Sequence, residues 1–269
     1  MSTTTAPSTT TDPTPAPAPI DLAGDRIPFA RLVGVEVRKM VDTRAGMWML
    51  ITMAAISFVV CGVLIAVGEG DDISMATFLG FITMPMLVGD ARDVLLPIMG
   101  IMSATQEWSQ RTGLATFTLV PRRGRVLSAK VVASLVLALG LLVVAALAAA
   151  LSTLVSGGDF ALEGLSVPGL VLTALIFTLQ GVAFGAALLN TPLAIVTSLA
   201  LPTVWTMLTS MSERMSDIAQ WLDLNIVTGP LVEGTMTGSD WGHLATGGLA
   251  WVGVPLTIGT YRVLTREIK

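Results

Sequence analysis

Gln106-Glu-Trp-Ser-Gln-Arg-Thr-Gly-Leu-Ala-Thr-Phe-Thr-Leu-Val-Pro-Arg-Arg-Gly-Arg-Val-Leu-Ser-Ala-Lys130 is a charged stretch in an otherwise apolar chain. It holds five of the 15 Lys and Arg residues: Arg111, Arg122, Arg123, Arg125 and Lys130. Apolar segments long enough to cross a bilayer flank it on both sides. Positive charge between two crossings marks a loop on the cytoplasmic side. The composition agrees, with 53% hydrophobic and 13% charged residues. A soluble domain carries about 25% charged residues, so an ordinary soluble fold is excluded.

Counting outward from this stretch gives the crossings. A helix needs roughly 20 apolar residues to span the hydrocarbon. The runs at about 47–67, 126–155, 168–189, 192–210 and 244–261 qualify, and Asn190-Thr191-Pro192 leaves room only for a tight helical hairpin. Between Met75 and Thr105 two short apolar pieces are separated by Asp90-Ala-Arg-Asp93. If both crossed, the basic stretch would lie outside. The reading adopted is a surface or re-entrant helix at 76–89, then a span at about 93–108. The expected fold is therefore an all-α integral membrane protein with six transmembrane helices and both termini cytoplasmic. Under it, thirteen basic residues fall inside and only Arg92 and Arg214 outside. The acids lean outward, with Asp159, Glu163, Asp217, Asp223, Glu233 and Asp240 among them, spaced like solvated loops.

Residues 1–26, rich in Thr, Pro, Ser and Ala, cannot build a core and are expected to be a disordered cytoplasmic tail without signal-peptide features. Ile27 to Arg44 reads as an amphipathic elbow helix. Phe29, Val33, Val37 and Met40 share one face, with Leu32 and Val41 beside them and Arg31, Arg38 and Asp42 opposite. Such a helix lies along the inner leaflet. Glu36 breaks the pattern by projecting onto the apolar face, where it either snorkels or faces protein and pairs with an arginine of the 111–125 stretch. Within that stretch Glu107 and Arg111 are spaced for a helical ion pair. Phe117 and Leu119 offer apolar contacts that a solvated loop does not need.

Enzyme chemistry finds no footing in the sequence. None of Lys39, Lys130 and Lys269 sits in a phosphate-binding loop motif. His243 is the only histidine and Cys61 the only cysteine, too few for a zinc site or a Cys–His pair. His243 reads as an interfacial polar residue and Cys61 as a packing residue. In the outer segment Ser212–Gly242, Ile218, Trp221, Leu222 and Ile226 recur at helical spacing, while Asp217 and Asp223 point elsewhere. That pattern suits a partly inserted helical cap, either a gate or an inert surface helix.

Glu107-Trp108, Arg111-Thr112, Thr116-Phe117-Thr118-Leu119, Pro121-Arg122-Arg123 and Lys130 together resemble the intracellular loop of ABC-2-type permeases. Glu36-Val-Arg-Lys39 and Asp42-Thr-Arg44 are similar to that family's elbow helix, and the resemblance runs over nearly the whole chain beyond residue 27. The broken second apolar segment is a departure. The resemblance implies an ABC-2-type transmembrane domain over 27–269 in a bacterial inner membrane. It implies a permease subunit of an ABC exporter, paired with a second copy or close relative and with two ATPase subunits that hold ATP and Mg. This chain would bind no cofactor and no nucleic acid. Glu36, Glu107, Arg111, Thr112, Phe117, Arg122 and Arg123 would form the ATPase-coupling interface. An apolar or amphipathic cargo (lipid, drug or peptide) is the compositional expectation. The rivals are an ion-driven secondary transporter, disfavoured by the scarcity of carboxylates within the spans, and a non-transporting scaffold or sensor.

Overall fold

The computed structural model describes residues 27–67, 73–87, 95–110, 122–209 and 211–265, and every described element is helical. The tail at 1–26, Asp90-Ala-Arg-Asp93 and the loop from Arg111 to Pro121 lie outside the described residues. Among the described residues four helices are long and apolar enough to cross a membrane. They are α2 (Arg44–Val67), α5 (Arg123–Ser156), α6 (Val167–Leu188) and α7 (Thr191–Thr209), and they coincide within a few residues with four of the expected spans. The remaining helices are α1 (Phe29–Asp42), α3 (Met75–Leu87), α4 (Leu95–Ser109), α8 (Glu213–Leu222), α9 (Leu224–Glu233), α10 (Gly238–Gly248) and α11 (Val254–Thr265). A π-helical turn, Leu249–Gly253, joins α10 to α11 in one continuous run.

Helix ends follow local chemistry. Gly157 closes α5 in the left-handed conformation that glycine adopts without strain, its N–H bonded to the Thr153 carbonyl. Ser166 caps α6 by accepting the N–H of Gly169, with Pro168 in the first turn. The α6–α7 hairpin is as tight as its sequence requires. Leu189 turns the chain at φ 53° while its side chain is packed among Ala104, Leu127, Val182, Ala186 and Val263. That anchorage offsets the cost of a left-handed leucine. Asn190 then starts α7 by accepting the N–H of Leu193.

The densest seam joins α4 to α6. A Cβ on Gly181 would lie 2.0 Å from the Pro97 carbonyl, and one on Gly100 would lie 2.4 Å from that of Thr178. Ala104 abuts Gly185 one turn further along, so the two helices run parallel in backbone contact. Gly259 of α11 meets Ala186 on another side of α6 in the same way. Packing through small residues is the usual means of association where lipid supplies no hydrophobic drive.

The helix expected at 76–89 as a surface or re-entrant element is α3, and its packing corrects the surface alternative. The first amides of α3 bond to the carbonyls of Asp159 and Ala161, beside the α5–α6 connection. Phe78 and Ile82 are wholly buried among α2, α5 and α6. An apolar run without polar periodicity is suited to an interior as well as to an interface, and tertiary packing selects the interior. Gly181, against which α4 begins, lies about 21 Å along α6 from Val167 at 1.5 Å per residue. Helices α3 and α4 therefore occupy successive depths of the bundle.

The segment from Ser212 also differs from expectation. Ile218, Trp221, Leu222 and Ile226 do not share one helix, because the chain breaks at Asp223 (ψ 115°) between α8 and α9. Ile218, Trp221 and Ile226 are exposed, and Asp223 is buried where a solvated acid was expected. The reason is capping: the Asp223 carboxylate accepts the N–H of Asn225 and starts α9. Thr237 and Asp240 form a reciprocal capping box at the start of α10. His243 lies edge-on to Trp221, with ring centres 4.2 Å apart.

Candidate functional site: a buried four-charge junction

Helix α1 ends at Thr43, whose extended backbone (ψ 140°) turns the chain straight into α2. The buried face of α1 is Leu32, Glu36 and Met40, one residue per turn. Glu36 thus faces protein, with its side chain 8% exposed. The elbow is close enough to require glycine at its inner corner, since a Cβ on Gly46 would lie 1.7 Å from the Met40 carbonyl. Gly46→Ala is expected to force the elbow open, at a cost of about 1–3 kcal/mol or more. Thermal unfolding in detergent measures the loss, and Gly62→Ala, where a Cβ meets nothing within 4 Å, is the silent control.

Around Glu36 the fold assembles a set of four charges among the described residues. Lys39 donates to Glu36 Oε1 at 2.7 Å and to Glu107 Oε1 at 3.0 Å. Lys130 donates to Glu36 Oε2 at 2.8 Å and to the Ser103 carbonyl at 3.1 Å, and lies 3.4 Å from Glu107 Oε1. Among the described residues two cations balance two anions. Glu36 is carried by α1, Glu107 by the end of α4 and Lys130 by the second turn of α5. Glu107 and Lys130 are each only 4% exposed in their side chains, while Lys39 opens the cluster to its surroundings.

The helix backbones are tied in as well. The Gln106 amide donates to the Lys39 carbonyl, and Ser134 donates to the Lys130 carbonyl. Further basic residues clamp the same end of the bundle. Arg125 donates to the Ile27 carbonyl, Arg123 to that of Val263 on α11, and Arg262 to that of Ala187 on α6. Beneath the elbow lies a crevice lined by Met40, Met49, Met99 and Met102, with Gln106 at one side. Methionine packing of this kind adapts to small displacements.

Burial alone lowers the affinity of Lys39 for its proton, but its bonds and proximity to Glu36, and then to Glu107, outweigh burial and hold its pKa above the ordinary value. A raised lysine pKa contributes stability that is complete below the unfolded value, about 10.4, and is lost only as pH rises through the folded value. The Lys39 contribution is therefore expected to be flat from neutral pH to about pH 9.5. Unfolding midpoints of wild type and Lys39→Met measured across that interval should differ by a constant amount.

Of the expected interface residues, the structure brings Glu36 and Glu107 together through two shared lysines. Among the described residues the partners of Glu36 are Lys39 and Lys130, and not Arg122, Arg123 or Arg125 of the stretch from which an arginine was expected. Helix α1 packs at the depth of the second turn of α5, whereas Arg122 is exposed at that helix's start. Arg123 binds the α11 carbonyl described above. Arg111, Thr112 and Phe117 lie outside the described residues, and with them the expected Glu107–Arg111 pair. Lys39 and Lys130 are the members not named as site residues from sequence. The signal was present, since a lysine inside the apolar run 126–155 requires a buried counter-charge. Among the described residues, no three His, Cys, Asp or Glu side chains gather as metal ligands would. The chain matches no family model and no curated protein.

Proposed function

We propose that this chain is the membrane permease subunit of an ATP-driven exporter, with the four-charge junction as the point where a separate ATPase grips the bundle. The observation that carries the reading is the junction itself, which joins the elbow helix, the end of α4 and the start of α5 through buried charge-assisted bonds. Those are the two helices that flank the basic stretch from Arg111 to Arg125. A buried ion cluster gives little net stability over apolar packing, so its use is in fixing one arrangement of three elements. A push on the stretch between α4 and α5 then reaches the elbow and the spans as rigid-body motion. The resemblance to ABC-2-type permeases supplies the driver, an ATPase on another chain.

In this reading the chain crosses the inner membrane of a bacterium six times with both termini inside. Helices α3 and α4 together supply the second crossing, and α10, the π turn and α11 supply the sixth. Two permease chains form the pathway. One observation favours a second reading, an ion-driven carrier: Asp223 is a buried carboxylate with no basic partner among the described residues. Purification in mild detergent separates the two. The exporter reading expects a stoichiometric ATP-hydrolysing subunit to accompany the chain, and a chain that purifies alone and still moves cargo refutes it.

A further inference from the structure

His243 is the only histidine in the chain, and neither the four-charge junction nor the proposed coupling uses it. The fold sets it where α10 lies against the last turn of α8. Its imidazole stands edge-on to the Trp221 indole, with ring centres 4.2 Å apart and planes at 71°. Its Nδ1 lies 3.9 Å from Oδ1 of Asp240, one turn earlier on α10. The other Asp240 oxygen is committed to the capping box, where it accepts the N–H and the hydroxyl of Thr237 at 2.7 and 2.6 Å. Thr246 donates to the Trp221 carbonyl at 2.8 Å, and the Trp251 indole donates to that of Leu222. His243, Thr246 and Trp251 thus hold the end of α8 from one continuous helical run. Of these three, only histidine is a residue type that changes charge between about pH 5 and 8.

Protonation of His243 adds a cation to surroundings arranged for one. A cation within about 6 Å of a tryptophan ring centre is attracted by its π system. Asp240 Oδ1 is an anion within ion-pair range, and the last turn of α8 carries the negative end of that helix's dipole. The histidine side chain is 21% exposed, so water can deliver the proton. The other charged groups of the packed elements are these. On α8, exposed Asp217 precedes Trp221 by one turn, and Glu213 and Arg214 precede it by two. Asp223, buried ahead of α9, is occupied with the Asn225 N–H and the Thr206 hydroxyl. Glu233 is exposed at the far end of α9, and the π turn carries no titratable side chain. We infer that His243 is an acid-strengthened latch, whose protonated ring tightens α8 against α10 and whose deprotonation loosens that contact. In the six-span topology this corner faces outward, so the latch answers to external acidity. That placement rests on the exporter reading, whereas the titration is a property of the chain itself.

Hydrogen exchange read by mass spectrometry, on the full chain in phosphatidylcholine nanodiscs, tests the latch in peptides covering residues 215–222. A ten-residue helix is marginal in water on its own, so undocking of α8 releases its amides. Protection, corrected for the intrinsic pH dependence of exchange, is expected to be about two- to fivefold greater at pH 5.5 than at pH 8 in wild type, the range of an exposed cation–π contact. His243→Gln should stay at the pH 8 level throughout. Asp240→Asn, which keeps a capping side chain, and Trp221→Leu should each shrink the wild-type ratio. Equal ratios in wild type and His243→Gln, or greater protection of wild type at pH 8, overturn the inference. An undiminished ratio in both Asp240→Asn and Trp221→Leu does so as well, because the added charge then has no attraction in this contact. If His243→Gln does not fold, Trp221→Leu at the exposed side of the contact decides in its place. No nucleotide or partner is present, so the latch and the exporter reading stand or fail separately.

Discussion

Replacing Lys130 by methionine is expected to destabilise the folded chain by about 3–5 kcal/mol, the range for removing one partner of a buried ion pair. The loss arises because Glu36 and Glu107 remain buried after losing the cation they share with Lys39, and the Ser103 carbonyl loses its lysine donor. Methionine restores most of the volume, so the effect is electrostatic rather than a cavity. Two comparisons isolate it. Lys130→Arg keeps a cation between Glu36 and Glu107 and should recover part of the stability. Arg38→Ala breaks the Arg38–Asp42 pair, whose side chains are 83% and 62% exposed, and should change stability by less than about 1 kcal/mol. Thermal unfolding in detergent reads all of these. A Lys130→Met chain as stable as wild type would show that the cluster is not the buried junction described.

Glu107→Gln carries the largest functional expectation. The amide keeps the shape and one acceptor oxygen but leaves Lys39 and Lys130 sharing the single carboxylate of Glu36. If the junction conveys motion between an ATPase and the spans, its coupling free energy falls in the usual range of about 1–3 kcal/mol. Cargo-stimulated ATP hydrolysis should therefore drop by about 5- to 150-fold, with membrane insertion intact. Arg111→Ala tests the neighbouring part of the proposed interface in the same assay. Full stimulation in both variants would remove the coupling role.

Sequence made different parts of this fold visible to different degrees. Helices α2, α5, α6 and α7 were legible because a long apolar run has few alternatives to a spanning helix. The α6–α7 hairpin was legible because Asn190-Thr191-Pro192 permits no longer loop. For helix α3 the choice between a surface and a re-entrant element stayed open because apolarity distinguishes water from oil but not lipid from protein, and the buried packing of Phe78 and Ile82 removes the surface alternative. The break at Asp223 was hidden for a related reason. An aspartate in an apolar segment reads as solvated, while its capping use depends on where the next helix begins.

At the candidate site, the position of Glu36 on the apolar face of α1 was readable from periodicity, and so was its need for a cation. Its partners were not, because pairing across 94 residues is a fact of packing. The choice of lysine over arginine follows from depth, with Lys130 one full turn further into the bundle than Arg125. Lys39 was obscured because a lysine three residues from a glutamate on a helix is ordinarily a surface pair.

Cargo movement in inverted membrane vesicles tests the central claim most directly, comparing wild type with Glu107→Gln in the presence of the partner ATPase. The account predicts uptake of an amphipathic fluorescent probe that requires MgATP, persists when ionophores collapse the ion gradients, and is largely lost in Glu107→Gln. Uptake that survives complete ATP depletion and vanishes with the ionophores would contradict it.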